Sequence, residues 1–345
     1  MDRLPASHNT QCLQSESASP QHTQPGFDAL VAAHRNELFA HCYRMLGSVE
    51  DAEDALQEAL LAAWRGLPGF AGRSSVRTWL YRVTTNVCLR LIARRPRRIL
   101  SEEHMPPLHT TGDLGSPVRG VLWLEPLPDQ LPNPDTESSD PSARYGKRET
   151  VELAYIAALQ HLPGKQRAAL ILREVFDFST AEIADVLETT RASVNSALQR
   201  ARTTVEQRVP SISQQAELRS LGDQGQRELV DAFVGAWERA DVAGLVDLLV
   251  EDARFRMPPL PAWFSGREDI SRFLRERMFA TPWRLVRICA NAQLAFACYQ
   301  GLDDGFRLGA INVVSLRQGH VAELTGFLDP GLHRHFGLPE AMNFG

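Results

Sequence analysis

The sequence predicts a multidomain chain: two all-α domains, the second built round a helix-turn-helix, followed by an α+β domain with a curved sheet. Three observations carry this expectation. Apolar residues recur at helical spacing over 27–95 and again over 149–209, with no strand signal in either block. From residue 227 the rhythm changes to helices followed by four strand-like runs at 283–290, 293–301, 306–317 and 320–327, the pattern of helices packed on a meander. Between the blocks lie a Pro-, Ser- and Asp-rich stretch (101–148) and a polar stretch (210–226), both of which read as linkers. The expected division is therefore a disordered tail over 1–25, domains at 26–100, 149–209 and 227–345, and the two linkers.

At 345 residues the chain is long enough for several domains with their own cores. Its five cysteines (12, 42, 88, 289 and 298) are scattered, without a C-x-x-C pair. That argues against a disulfide framework or a zinc site and suits a reducing cytoplasm. No apolar run approaches the ~18 residues that span a bilayer, so no membrane partner is expected. The tail is rich in Ser, Gln, His and Pro without a hydrophobic segment, unlike a signal peptide.

In the first block, Phe27, Leu30, Val31, Leu38, Cys42 and Met45 form a helical stripe that Gly47 can end in a left-handed turn. Ser48 and Asp51 cap a second helix whose buried stripe is Val49, Ala52, Leu56, Ala59, Leu60 and Ala63. Glu50, Asp54, Gln57, Glu58 and Leu61 fall largely on its other side. A third helix buries Val76, Trp79, Leu80, Val83, Val87 and Leu91 and stops at Pro96. Trp79 belongs to that apolar face, which favours a core role over base stacking.

Charge is sharply divided. Residues 65–100 hold nine arginines and no Asp, Glu or Lys, whereas Glu50, Asp51, Glu53, Asp54 and Glu58 crowd the helix before them. The net charge of −5 would not reveal a nucleic-acid binder, so the local field matters more. An arginine stretch suits a polyanion such as DNA, because each phosphate contact releases a condensed counterion. An acidic helix is repelled by DNA and suits a basic protein surface.

Residues 179–205 carry the most specific local motif. Ser179 and Glu182 make a capping box, and Ile183, Ala184, Val186 and Leu187 supply the inner face of the first helix. After the turn at Glu188, Thr189 and Thr190, a second helix starts at Arg191, with Val194, Leu198, Ala201 and Val205 on one face. Ala192, Asn195, Ser196, Gln199 and Thr203 point the other way, with Arg200 and Arg202 at the edges. Amide side chains can pair bidentately with adenine, and arginine with guanine or phosphate. An ordinary pair of packed helices with a solvated polar face shares this geometry.

Taken in order, three segments resemble the extracytoplasmic-function (ECF) sigma factors, promoter-recognition subunits of bacterial RNA polymerase. They are Asp51-Ala52-Glu53-Asp54-Ala55-Leu56-Gln57-Glu58, then Arg77-Thr78-Trp79-Leu80-Tyr81-Arg82-Val83 through Asn86, and Ser196-Ala197-Leu198-Gln199-Arg200-Ala201-Arg202. Together with the island Trp123-Leu124-Glu125-Pro126-Leu127-Pro128-Asp129 and the C-terminal extension, they are similar to the SigG-type group, whose members end in a SnoaL-like domain. The resemblance implies two all-α domains that bind polymerase and DNA, then an α+β, cone-shaped SnoaL-like domain.

It also implies roles. Asp51, Asp54, Gln57, Glu58 and Leu61 would dock on the β′ clamp helices of core RNA polymerase, whose β subunit is a further partner. Thr78, Arg82 and Asn86, spaced by four, with Arg94 and Arg95, would face the −10 element of promoter DNA; Asn86 matches the neighbourhood that captures a flipped base. Arg97 and Arg98 join the phosphate-facing group, a merely solvated basic patch being the alternative. Arg191, Ser193, Asn195, Ser196, Gln199, Arg200 and Arg202 would read the −35 element. Ala197 departs from the family, which often carries a basic residue there, so specificity falls on Asn195, Ser196, Gln199 and Arg200. No covalent chemistry, cofactor or metal is implied, and the residues do not identify an anti-sigma partner.

The −10 and −35 elements lie ~25 base pairs, or ~85 Å, apart. The linker over 101–148 would average ~40 Å as a free coil and reach ~160 Å when extended. It is expected to thread along the polymerase with Trp123 as an anchor.

The C-terminal region is expected to enclose an apolar cavity with a possible small ligand, and to regulate the DNA-binding domains. Asp252, Arg254, Asp303, Asp304, His320, Asp329, His333 and His335 are its chemically capable side chains, but their spacing enforces no catalytic set. His333-x-His335 with Asp329 fixes no metal geometry. Phe255, Met257, Trp263, Phe273, Trp283 and Phe296 are expected to line or fill the core. Two other readings remain open: a ligand-responsive helix-turn-helix regulator, and a cyclase-type enzyme of the SnoaL-like class.

Overall fold

A computed structural model describes residues 26–27, 31–118, 122–129, 148–303 and 305–343. The expected N-terminal tail, Leu30, the linker over 130–147 and Asp304 lie outside the described residues.

The first helical domain is a three-helix unit of α1 (Arg35–Leu46), α2 (Val49–Gly66) and α3 (Val76–Arg94). Gly47 ends α1 at φ 70°, a left-handed conformation that costs glycine nothing. Ser48 caps α2 by accepting from the Asp51 amide at 3.1 Å. Arg95 turns extended ahead of Pro96, whose ring disfavours a helical residue before it, and α3 stops there. The second helical domain comprises α4 (Leu153–Gln160), α5 (Gly164–Glu174), α6 (Thr180–Val186) and α7 (Arg191–Glu206). The Ser179–Glu182 capping box forms, and Glu188 turns the chain at φ 50° between α6 and α7.

The polar stretch over 210–226 is not a free linker. It contributes the first half of α8 (Gln214–Glu238), which Gly222 breaks at φ 65°, ψ 175°. Its polar side chains are buried because they satisfy backbone. Gln214 donates to the Leu316 carbonyl and accepts from the Leu316 amide, at 3.0 and 2.6 Å. Glu217 accepts from the Gln318 and Gly319 amides at 3.0 and 3.2 Å.

The C-terminal domain continues with α9 (Val242–Asp247), β1 (Leu249–Arg256), β2 (Trp263–Ser265), α10 (Arg267–Glu276), β3 (Trp283–Ala290), β4 (Gln293–Leu302), β5 (Gly305–Arg317) and β6 (His320–Phe327), then α11 (Pro330–His333) and β7 (Ala341–Met342). Helix α9 is short because Leu249 opens β1. Strand order is β2-β1-β6-β5-β4-β3, with β7 on β5. All pairings are antiparallel except β1 with β6.

Alternation along β4 explains how the domains join. Leu294, Phe296 and Cys298 face the domain's own interior, whereas Ala295, Ala297 and Tyr299 enter a core shared with both helical domains. A sheet covered on both faces reads as a nearly continuous apolar run, as β4 does. Inside the cone, Phe233 stacks on Phe296 at 5.0 Å and Phe264 on Phe273 at 4.6 Å. The domain thus fills its interior with its own rings, which lends the expected ligand cavity no support.

The linker over 101–118 and 122–129 is docked rather than free. Leu108 donates to the Trp263 carbonyl and the Trp263 indole to the Met105 carbonyl, both at 2.8 Å. Leu108 and Leu114 pack on the C-terminal core. The island around Trp123 lies between the first helical domain and the C-terminal sheet, with an Ile99–Trp123 bridge on one side and a Pro128–Ala290 bridge on the other.

Candidate nucleic-acid interface

The helix-turn-helix presents the expected surface. Thr190 caps α7 by accepting from the Ser193 amide at 3.2 Å. Val194, Leu198, Ala201 and Val205 are buried, while Arg191, Ser193, Asn195, Ser196, Gln199, Arg200 and Arg202 are exposed. Two of these side chains already have work. The Ser193 hydroxyl bonds Thr190 at 3.1 Å, and Arg202 pairs with Glu174 through Nε at 3.1 Å. Arg191 and Arg200 make no ion pair among the described residues, which leaves them available to an incoming phosphate or base.

On the first helical domain the outcome is mixed. Asp54, Gln57, Glu58 and Leu61 are exposed on α2. Leu61 is 57% exposed, and Trp64, three residues on, 41%. Trp64 extends the same face and was legible as the i+3 neighbour of Leu61. Asp51 differs: both its oxygens are taken, one by Arg95 and one by Arg98 at 2.6 Å. Burial works against its charge, and Arg98 with Arg95 outweighs burial, so the carboxyl lies below its ordinary range. Glu58 meets Arg90 at 2.5 Å, with both side chains half exposed. The acidic and basic groups are therefore in contact along α2 and α3, not segregated.

Thr78 does not join the displayed stripe of α3. It is buried, with its hydroxyl 2.8 Å from that of Ser75. Arg82 is half-buried and Asn86 exposed; Arg94 and Arg95 are exposed at the end of α3. Arg82 lines an open cleft of about 370 Å³ with Phe70, Arg73 and Trp79, and Asp185 and Glu188 of the second helical domain line its other side. Trp79 is 6% exposed and packs on Phe70 at 5.0 Å, a core position at the edge of that cleft.

The two helical domains share an aromatic seam. Tyr81 meets Phe176 at 5.1 Å and Phe178 at 4.8 Å, and the Arg77 guanidinium lies 4.5 Å from the Phe178 ring. His41 is buried there beside Thr85, and burial with the nearby Arg44 pushes it down to about 3, so it is neutral. Arg167 reaches across from α5 to the Met45 carbonyl while also bonding Gln160 and Leu162. It needs no carboxylate because it satisfies carbonyls at two helix ends.

One turn of the C-terminal domain joins everything else. The β3–β4 hairpin turns at Asn291 and Ala292, with φ 54° and 55°, the backbone of a tight hairpin. Asn291 donates to Tyr43 Oη at 2.9 Å and to the Val151 carbonyl at 2.8 Å, and accepts from the Leu127 amide at 2.9 Å. One buried amide thus touches the first helical domain, the second and the linker. Next to it, Ala292 donates to Asp129 at 2.9 Å, and Gln293 accepts from the Leu153 amide at 2.8 Å. Sequence reading passes over Asn291 because asparagine is ordinary in such a turn.

The C-terminal candidates do not converge. Asp252 pairs with Arg317, Asp329 accepts from the Gly331 amide at 2.8 Å, and His333 lies 3.2 Å from the Phe327 carbonyl. Among the described residues, no group of three His, Cys, Asp or Glu side chains is placed to hold a metal. No described helix is long and apolar enough to cross a membrane.

Comparison with known proteins bears on all three regions. Sigma-70 region 2 matches residues 30–98, Sigma-70 region 4 matches 152–205, and the SnoaL-like domain matches 230–324. The chain is 40% identical over 321 residues to the ECF RNA polymerase sigma factor SigG of Mycobacterium tuberculosis (strain ATCC 25618 / H37Rv), covering 92% of this chain and 85% of that protein. The ECF sigma factor SigW of Bacillus subtilis (strain 168) is 26% identical over 180 residues, covering 52% of this chain and 86% of that one. The crystal structure of the M. tuberculosis ECF sigma factor SigJ aligns with a TM-score of 0.58 at 22% identity, covering 90% of this chain and all of that one, and so shares the fold. Helix-turn-helix, acidic helix, arginine stretch and appended cone therefore have one explanation: the chain belongs to the ECF sigma factors of RNA polymerase.

Proposed function

We propose that the arrangement described above is the closed, polymerase-free state of an alternative sigma factor, and that its SnoaL-like domain regulates activity by holding the helical domains together. In use, Asp54, Gln57, Glu58 and Leu61 of α2, with Trp64 beside them, face the β′ clamp helices. Arg82, Asn86 and Arg94 face the −10 element, and Asn195, Ser196, Gln199 and Arg200 of α7 face the −35 element. These surfaces belong ~85 Å apart on a promoter, yet here Asp185 and Glu188 of the helix-turn-helix line the same cleft as Arg82. That juxtaposition carries the reading, because the domains must part before both elements can be engaged. The linker then leaves its present bed and threads along the polymerase, with Trp123 as its anchor.

Promoter-dependent transcription with core polymerase tests this. A chain ending before Gln214 loses the clamp and is expected to change output across promoters relative to the full chain. Equal output from both on every promoter tried refutes the regulatory role; no promoter-specific initiation by either refutes the assignment of surfaces.

A further inference from the structure

Asp51 and Arg98 belong to an enclosed ion cluster at the edge of the first helical domain. Arg98 donates to Asp51 at 2.6 Å, to Glu125 at 2.9 Å and to the Trp123 carbonyl at 2.6 Å, and Arg95 closes on the other Asp51 oxygen. The Arg98 side chain is 10% exposed, and those of Asp51 and Glu125 are each 13% exposed. A carboxylate held this way by guanidinium groups stands where a phosphate oxygen would stand, since both anions accept the same fork of donors. Arg94 makes no such pair among the described residues.

We propose that Asp51 and Glu125 are positioning residues that hold Arg95 and Arg98 away from the phosphodiester backbone of duplex DNA, and that Arg98 is loosened when the linker island leaves. This rests on the reading that the arginine end of α3 faces the promoter, and it takes Asp51 out of the polymerase contact set. Two contacts tie the pair to the island's position. The Glu125 amide donates to the Gly47 carbonyl at 3.0 Å, and the Tyr43 hydroxyl donates to the Glu125 carbonyl at 2.9 Å. When the island moves, Glu125 goes with it and Arg98 loses one of its two counter-charges. Polymerase and template binding are thereby coupled: whatever draws the island out raises the number of arginines the template can use, and bound template favours the island's release in return.

The test is the salt dependence of nonspecific duplex binding by the free, full-length chain, read by fluorescence anisotropy. Asp51→Asn with Glu125→Gln keeps both shapes and the acceptor for the Val49 amide, which Glu125 now meets at 3.1 Å. The double variant is expected to bind more tightly, with the slope of log K against log salt steeper by about 2, close to 0.9 for each arginine released. Adding Arg95→Gln and Arg98→Gln returns the slope to the wild-type value, and Asp51→Glu alone preserves it. A charge-matched control, Glu53→Gln with Glu228→Gln, separates this effect from that of net charge. An unchanged slope in the double variant overturns the proposal, as does a loss of core polymerase affinity in Asp51→Asn at constant slope, which makes Asp51 a contact residue. If Arg95→Gln with Arg98→Gln leaves promoter binding by the polymerase-bound chain intact, the reading of the arginine stretch itself fails.

Discussion

Replacing Asn291 by alanine removes the side chain that joins three parts of the chain. The Leu127 amide and the Val151 carbonyl each lose a buried partner, whereas the Tyr43 hydroxyl keeps the Glu125 carbonyl. A buried polar group left unpaired costs about 1–3 kcal/mol, so two cost about 2–6 kcal/mol. Alanine at φ 54° adds about 1–2 kcal/mol of left-handed strain. Asn291→Gly avoids that strain and isolates the hydrogen bonds. Both variants should spare the interior of the C-terminal domain and weaken its packing on the helical domains. Scanning calorimetry should show the transition lowered by roughly 4–12 °C in Asn291→Gly and roughly 6–16 °C in Asn291→Ala, at about 2 °C per kcal/mol for a chain of this size. Small-angle scattering should show a larger radius of gyration. Wild-type stability and dimensions in both variants would refute the claim that this turn holds the closed form.

Three further outcomes follow from other contacts. In Gly47→Ala, the new Cβ would lie 2.8 Å from Leu124 Cδ1 at φ 70°, so a loss of about 1–3 kcal/mol in denaturant unfolding is expected, with easier proteolysis of the island. Glu152 is pushed up to about 7 by burial, against the opposing effect of the Gln214 and Gln215 amides. Its raised value means that stability is fullest below the ordinary carboxylate range and falls as pH rises from about 4.5 through about 7; Glu152→Gln should flatten that part of the stability profile. Gln199→Ala on the exposed face of α7 should leave unfolding unchanged and lower holoenzyme discrimination at one −35 position by about 1–3 kcal/mol, measured on single-base promoter variants.

Local pattern was enough wherever burial followed helix or strand period. The inner faces of α6 and α7, the caps at Ser48 and Ser179, the stop before Pro96 and the four long strands are set by neighbours within a few residues. What escaped the sequence depends on partners far along the chain. Asp51 has the same helical environment as Asp54 in one dimension, and only the return of Arg98 distinguishes them. Gln214 and Glu217 read as solvated because polar side chains usually are, but they face unpaired backbone at the ends of strands. Thr78 fits the spacing of an exposed stripe, yet its hydroxyl turns back to Ser75.

The strand order sets a timetable for synthesis. The strand completed at Phe327 is inserted between β1 and β5, so the cone cannot close until that strand has left the ribosome. The helix-turn-helix is complete at Glu206. At about 5–20 residues per second, the nascent chain spends on the order of ten seconds with both helical domains made and the sheet that packs on them unfinished. During that interval the two helical domains lack the finished sheet whose outer face completes their shared core.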